Sequence, residues 1–340
     1  MEKVLYEGLK GLGNATKRPP KIKYEIMIDN NGDMQFPAVV SGARWETRRA
    51  GSPSKLTFDV MNDENLNFQE GNPVRLTVDG VNMFFGFVFK KKRRGRRVIS
   101  VTCYDQMRYL KNKDTYIYTE KTASDVIRMI ANDFELNLGS IANTNFVIPN
   151  RDENNTALVD IINTALDFEL VHTGNLFVLF DDFGRLTLRD IADMKVDLII
   201  DENTGQIFNY ESSINRTTAN RVKLVFENNE TGMRDIYIVQ DGRNIDRWGI
   251  LQYYGTLQEG ENGEAKAAAL LDLFNAKTRR LELSGVFGDT RIRAGSMPVI
   301  DLDLGDITVR NNMLVEKCTH ILRESEHWMD LTLRGGDIHG

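Results

Sequence analysis

The run Lys90-Lys91-Lys92-Arg93-Arg94-Gly95-Arg96-Arg97 carries the loudest local signal in the chain. Cations at this density can hold phosphates by releasing their counterions, or can meet an acidic protein surface. The run lies between the apolar strand patterns Met83–Phe89 and Val98–Cys103. Its simplest reading is therefore a solvated hairpin loop whose like charges keep a sheet edge from pairing wrongly. No aromatic residue interleaves with the basic ones, as a stacking platform for single strands requires. Lys90, Lys91, Lys92, Arg93, Arg94, Arg96 and Arg97 stand as a candidate partner contact, with an acidic protein placed ahead of nucleic acid.

Other arrangements of reactive residue types fail on their context. Asp182-Phe183-Gly184 copies the metal-binding triplet of protein kinases, but the catalytic loop and the Gly-rich loop before a strand lysine are missing. At a hairpin tip the same triplet is turn chemistry. Gly8, Gly11 and Gly13 precede no strand–helix unit, so they form no nucleotide fingerprint. Asp29-Asn30-Asn31-Gly32-Asp33 has calcium-loop residue types, yet Val40 occupies the place of the bidentate glutamate, which leaves a turn. His172, His320, His327 and His339 do not pair with one another or with cysteine at metal-ligand spacing. Cys318 and His320 share a strand face, but nothing nearby in sequence completes a four-ligand site. Cys103 and Cys318 fall in alternating strand patterns as small buried hydrophobes; one disulfide between them stays open, and no disulfide framework exists. No catalytic, cofactor-binding or metal-binding residue is assigned.

The elements around these residues are mostly strands. Leu56, Phe58 and Val60 alternate, as do Val74, Leu76 and Val78, and Ile99, Val101 and Cys103. Period-two patterns separated by Gly, Asn and Asp mark antiparallel strands with one face buried. After Tyr104 the period changes. Thr122 and Asp125 have capping-box spacing before the helical face of Val126, Ile127, Ile130 and Phe134. A second helix starts near Asn155 or Thr156, and a hairpin runs from Leu176–Phe180 to Arg185–Leu188. Strands return from Ile207, interrupted by a helix over 264–280. The segment from Gly71-Asn72-Pro73-Val74 to Val98–Thr102 is matched by one from Gly295-Ser296-Met297-Pro298-Val299 to Met329–Leu333. Both have a Pro-Val strand, a Gly, a second strand, a charged turn and a third strand. A β-module repeated without repeated chemistry suggests a geometric role.

Size and charge agree with this. The 340 residues suit two or three domains, and 41% apolar with 27% charged residues is ordinary for a folded chain. The net charge of −6 gives no global signal for nucleic acid. Met1–Tyr6 lacks the pattern of a secretory signal, and no window is long and apolar enough to span a membrane. The expected class is α+β, predominantly β. The expected layout is an N-terminal arm at 1–20, a first unit at 21–107, a small α/β domain at 108–205 and a second β unit at 206–340.

Long strings now resemble a known family. Phe68-Gln69-Glu70-Gly71-Asn72-Pro73-Val74, Phe84-Phe85-Gly86-Phe87-Val88-Phe89, Trp248-Gly249-Ile250-Leu251-Gln252-Tyr253-Tyr254 and Arg291-Ile292-Arg293-Ala294-Gly295 look like the XkdQ/YqbQ proteins of contractile-tail prophages and phage-tail-like bacteriocins. These are similar to late-control-D type baseplate hubs. The resemblance implies two tail-tube-like antiparallel β-barrel domains per chain and a homotrimer that joins a six-fold tail tube to a three-fold spike. It implies tail tube protein, spike protein, tape-measure protein and baseplate-wedge or LysM-type proteins as partners, with no membrane and no cofactor. Nucleic acid would only pass through the channel. Synthesis would be in the bacterial host cytoplasm and assembly in a virion or phage-tail-like particle. With the second barrel ending near Gly340, any lysozyme or spike activity would sit on another protein. The alternatives are a DNA- or cell-wall-binding tail protein acting through residues 90–97, and a cell-wall hydrolase.

Overall fold

The computed structural model describes residues 18–63, 66–202, 204, 207–215, 218–227, 233–257, 261–304 and 308–335. The expected arm thus lies outside the described residues up to position 17, as does the glycine cluster at 8–13. Among the described residues strand makes up 54% and helix 19%, so the mostly-β class holds.

The first β region contains β1 (Tyr24–Asn30), β2 (Asp33–Gln35), β3 (Val39–Arg48), β4 (Lys55–Met61), β5 (Pro73–Val78), β6 (Val81–Arg94) and β7 (Val98–Tyr104). Alternation decides which face is buried. Leu56, Phe58 and Val60 turn inward with Val74, Leu76, Val78, Phe84, Val88, Val101 and Cys103 to make one core. Pro73 opens β5, a position where its missing N–H interrupts no ladder. The calcium-like stretch is the β1–β2 turn. Asn31 and Gly32 take positive φ, and the Gly32 amide donates to Asp29 Oδ1 at 2.7 Å.

The middle region holds β8 (Lys113–Lys121), α1 (Ala123–Asp133), β9 (Leu138–Ile141), β10 (Ile148–Ala157), α2 (Leu158–Thr173), β11 (Phe177–Asp181) and β12 (Leu186–Asp190). Thr122 and Asp125 form the expected capping box. The second helix starts at Leu158 rather than at Asn155 or Thr156, because residues up to Ala157 pair with β8 and Asn155 has a positive φ of 51°. The two helices and the flanking strands share a core that includes Ile127, Ile130, Leu158 and Ile161.

The last region holds β13 (Lys195–Asp201), β14 (Ile207–Ser213), β15 (Arg221–Glu227), β16 (Arg234–Gln240), α3 (Gly242–Trp248), β17 (Gln252–Thr256), α4 (Gly263–Phe274), β18 (Thr278–Phe287), β19 (Met297–Asp303), β20 (Thr308–Asn312), β21 (Leu314–Arg323) and β22 (Glu326–Gly335). The helix expected over 264–280 stops at Phe274, and Thr278–Arg280 belong to β18, paired with β14 and β22. Strands β15–β17 and helix α4 build a small separate core, inserted between β14 and β18.

The repeated module is visible in the strand order. One eleven-stranded sheet runs β14-β18-β22-β21-β3-β4-β7-β6-β5-β1-β2. Its two parts, β3-β4-β7-β6 and β14-β18-β22-β21, follow the same plan. Strand β6 pairs β5 along its first part and β7 along its second. Strands β20 and β21, separated by Met313 alone, do the same with β19 and β22. One difference is that β1 meets β5 antiparallel whereas β13 meets β19 parallel.

Among the described residues no sheet closes into a barrel, contrary to the expected pair of closed barrels. The reason lies in strand pairing. The outer edge of β3 is taken by β21 of the other β region, so the two parts share one open sheet instead of each curling on itself.

Candidate functional site: a strand seam and a charged junction

Two places join regions distant in sequence. The first is the seam between β3 and β21, where Ala43, Arg44, Trp45, Glu46, Thr47 and Arg48 face Leu322, Ile321, His320, Thr319, Cys318 and Lys317. Gly42 makes the close approach possible: it has a φ of 84°, and a Cβ there would meet Leu322 O at 2.0 Å. Side chains lace the seam on its outer face. Arg49 meets Glu316 at 2.9 Å and Lys317 meets Glu46 at 3.0 Å. Burial works to raise the Glu46 carboxyl, but hydrogen bonds from Arg48 and Lys317 outweigh it and hold it below its ordinary value.

The inner face of the seam is a buried imidazole pair. Trp45 stacks on His320 with ring centroids 4.9 Å apart. His320 Nε2 lies 2.8 Å from the carbonyl of Ile292, and its Nδ1 lies 2.8 Å from His327 Nε2. A carbonyl only accepts, so Nε2 of His320 carries the proton and its Nδ1 is the acceptor for the N–H of His327. Both rings are then neutral. Burial is the first cause of their lowered pKa values, to about 3 for His320 and about 4 for His327. Cys318 Sγ is 3.3 Å from His320 Nε2. Both cysteines are free and buried, which removes the disulfide left open by the sequence, and burial drives each thiol upward. Among the described residues no group of three or more His, Cys, Asp or Glu side chains is placed to hold a metal.

The second place is a charged junction where the three regions meet. Asp105, after β7, accepts from the Ser54 amide at 2.9 Å and hydroxyl at 2.5 Å, and from the Met107 amide at 3.0 Å. Asp181, at the end of β11, accepts from Gln106 Nε2 at 2.8 Å and the Gly184 amide at 2.7 Å. Arg293 lies 3.9 Å over the Phe180 ring and donates to the Asp181 carbonyl at 2.9 Å. Burial, then the charge of Asp181, pushes the Asp105 carboxyl up to about 7. Burial also raises Asp181 and lowers Arg293. Such a cluster orients three bodies against one another through directional bonds. Asp182-Phe183-Gly184 is the tip of the β11–β12 hairpin. Phe183 packs 5.8 Å from Phe85 on β6, and Phe183 and Gly184 take positive φ.

The basic run is placed differently from a loop. Lys90–Arg94 are the end of β6 and pair with β7, while only Gly95, Arg96 and Arg97 form the turn. Lys91 is engaged: its Nζ donates to the Phe68 carbonyl at 2.6 Å and lies 3.6 Å from Glu70. Arg94 lies 3.5 Å from Asp59. Lys90, Lys92, Arg93, Arg96 and Arg97 are exposed. Phe85, Phe87 and Phe89 precede the run on the same strand, with Tyr109 6.3 Å from Phe87 and 6.1 Å from Phe89. Neither the His320–His327 pair nor the place of Arg293 is legible in the residues alone, since both depend on contacts across turns and between regions.

Comparison with known proteins places this architecture. A model of the YQBQ-like family matches residues 43–334. The chain is 28% identical over 305 residues to the phage-like element PBSX protein XkdQ of Bacillus subtilis, covering 86% of this chain and 91% of that one. The fold is shared with a tail protein from Neisseria meningitidis MC58, at 12% identity and a TM-score of 0.67, over 93% and 97% of the two chains. It is shared also with the Escherichia coli c3393 protein, described as a component of the type VI secretion system with structural similarity to T4 tail proteins gp27 and gp5. There the identity is 11% and the TM-score 0.58, over 94% of this chain and 78% of that one.

Proposed function

Because this chain belongs to the YQBQ-like family, we propose that it is a structural hub of a contractile-tail baseplate, acting without catalysis. Three copies would form a ring that meets a six-fold tail tube on one side and a three-fold spike on the other. The observation that carries this reading is the repeated strand plan, β3-β4-β7-β6 and β14-β18-β22-β21, within one sheet. Two similar β units per chain give three chains six similar positions, which is the geometric need of a three-to-six adaptor. The tail-protein fold and the XkdQ relationship support the same reading.

On this reading residues 21–107 and 206–340 are the two tube-like units and 108–205 is the domain between them. Closure of each barrel happens between chains and not inside one. Tail tube, spike, tape-measure and wedge or LysM-type proteins are the partners, and the site of action is the assembled particle. The test is cryo-electron microscopy of particles from a producing strain, with this chain located by its own density. Three copies at the junction of tube and spike are expected. Six copies, or a position in the wedges or the tube, would overturn the assignment.

A further inference from the structure

The seam inside the chain has a counterpart that is not paired. In the seam, Trp45 on β3 faces Leu56, which faces Cys103. In the second unit Phe208 on β14 faces Leu283, which faces Leu331. Phe208 is therefore the counterpart of Trp45, and Ile207 that of Arg44. Their surroundings differ sharply: Trp45 is 4% exposed beneath β21, whereas Phe208 is 47% and Ile207 68% exposed. Strand β14 ends the eleven-stranded sheet, so its outer edge has no strand beside it among the described residues.

The other side of the missing seam is the end of β6. Counting back from the closing pairs of the two hairpins, Arg323–Glu326 and Arg94–Val98, His320 corresponds to Lys91 and Ile321 to Lys92. In β21 these positions face β3. In β6 the pairing with β5 stops at Phe87, with Val88 bonded to Gly71 and Asn72. Beyond that point Lys90–Arg94 have β7 on one side and no strand on the other among the described residues. One molecule thus carries both halves of a second seam, on separate edges.

We infer that the free edge of β14 in one copy pairs antiparallel with the outer edge of β6 at Lys90–Arg93 in the next, repeating between chains the β3–β21 seam found within one. The expected register sets Ile207 opposite Lys92, Phe208 opposite Lys91 and Asn209 opposite Lys90. Charge selects this partner. Two β6 edges would bring Lys90, Lys92 and Arg93 against their own kind, which opposes self-pairing. Strand β14 carries no basic residue, so it sets no cation against the basic edge. The contact is heterologous and propagates from copy to copy, as a closed ring requires. It assigns the basic run a role as a strand edge and not as a phosphate site. This inference names the interface of the ring proposed above and rests on that reading for the number of copies alone.

The test is a disulfide across the expected register. Ile207→Cys and Lys92→Cys are both exposed positions, and the two native cysteines are buried. Particles carrying the double variant are oxidised mildly and run on a non-reducing gel beside each single variant. Covalent oligomers reaching the full ring are expected for the double variant, with at most disulfide dimers from either single one. A Phe208→Lys variant, which sets a cation opposite Lys91, is expected to lose incorporation into particles while unfolding at the temperature of the parent chain. If micrographs place three copies at the tube–spike junction but no ladder forms, the interface is wrong and the hub stands. If the ladder forms with a different copy number, the strand pairing stands and the three-to-six adaptor falls.

Discussion

Replacing His327 by glutamine should flatten the acid side of the stability profile. Gln Nε2 can donate to His320 Nδ1 as the His327 ring does now, so the bond of 2.8 Å is kept while one titrating group is removed. The folded pKa of His327 is lowered to about 4 and that of His320 to about 3, each chiefly by burial. An unfolded histidine titrates near ~6.5. A lowered histidine pKa means the folded state refuses a proton that the unfolded state accepts. The stability is thus complete above the unfolded value, begins to fall as pH drops below it, and is fully lost below the folded values. At about pH 5 the loss due to His327 is roughly 2 kcal/mol, and His320 adds a similar amount. The charged groups facing the pair are Asp289 and Asp79, which raise His327, and Arg293 and Asp289, which act in opposite senses on His320. Asp105, raised to about 7, gains stability over the same range as pH falls, but it is common to both proteins and cancels. Chemical denaturation of both proteins at about pH 7.5 and about pH 5 should show the parent losing roughly 2 kcal/mol more than the variant. Parallel losses in the two proteins would mean that His327 is charged in the folded state, and the neutral-pair assignment would be wrong.

Two further outcomes follow from the junction and the seam. Arg293→Met removes the cation between Asp105 and Asp181 and should cost about 3–5 kcal/mol in denaturant unfolding, less at about pH 5 where the carboxyls can take up protons; an unchanged midpoint would show that the guanidinium does not hold the three regions together. Gly42→Ala drives a methyl into the Leu322 carbonyl at a positive φ and should cost at least about 1–3 kcal/mol, with hydrogen exchange quickened first at β3 and β21; exchange that rises elsewhere and spares these strands would refute the seam's dependence on that close approach.

How far the sequence reveals the fold depends on the range of each interaction. The alternation at Leu56, Phe58 and Val60, the Thr122–Asp125 box and the turn at Phe183-Gly184 are local, and each is visible in the residues themselves. Strand β10 is not: Pro149–Thr156 is polar and fits a loop by composition, and only its ladder with β8 makes it a strand. The end of α4 was hidden because Asn275–Arg280 carries no glycine or proline to mark the stop, and β18 claims Thr278–Arg280 through its partners. The basic run illustrates the same limit. Its charge reads as a loop, whereas the ladder with β7 extends β6 through Arg94. The seam and the junction join regions remote along the chain, so no window of sequence contains them. What the residues did carry was the repeat, and that repeat pointed to a shared plan without showing how the two copies connect.

The seam also dictates an order of events during synthesis. Arg49 and its partner Glu316 are separated by 267 residues, so β3 can pair with β4 at once, but its other edge has to wait until β21 has been made. At roughly 5–20 residues per second that delay lasts on the order of tens of seconds. Throughout it Trp45 lacks its cover, and the nascent chain presents a half-finished sheet. Such long-range pairing makes for slow maturation. Strand β21 must therefore be made before the two β regions can lock together, and a chain cut ahead of it would leave Trp45 uncovered.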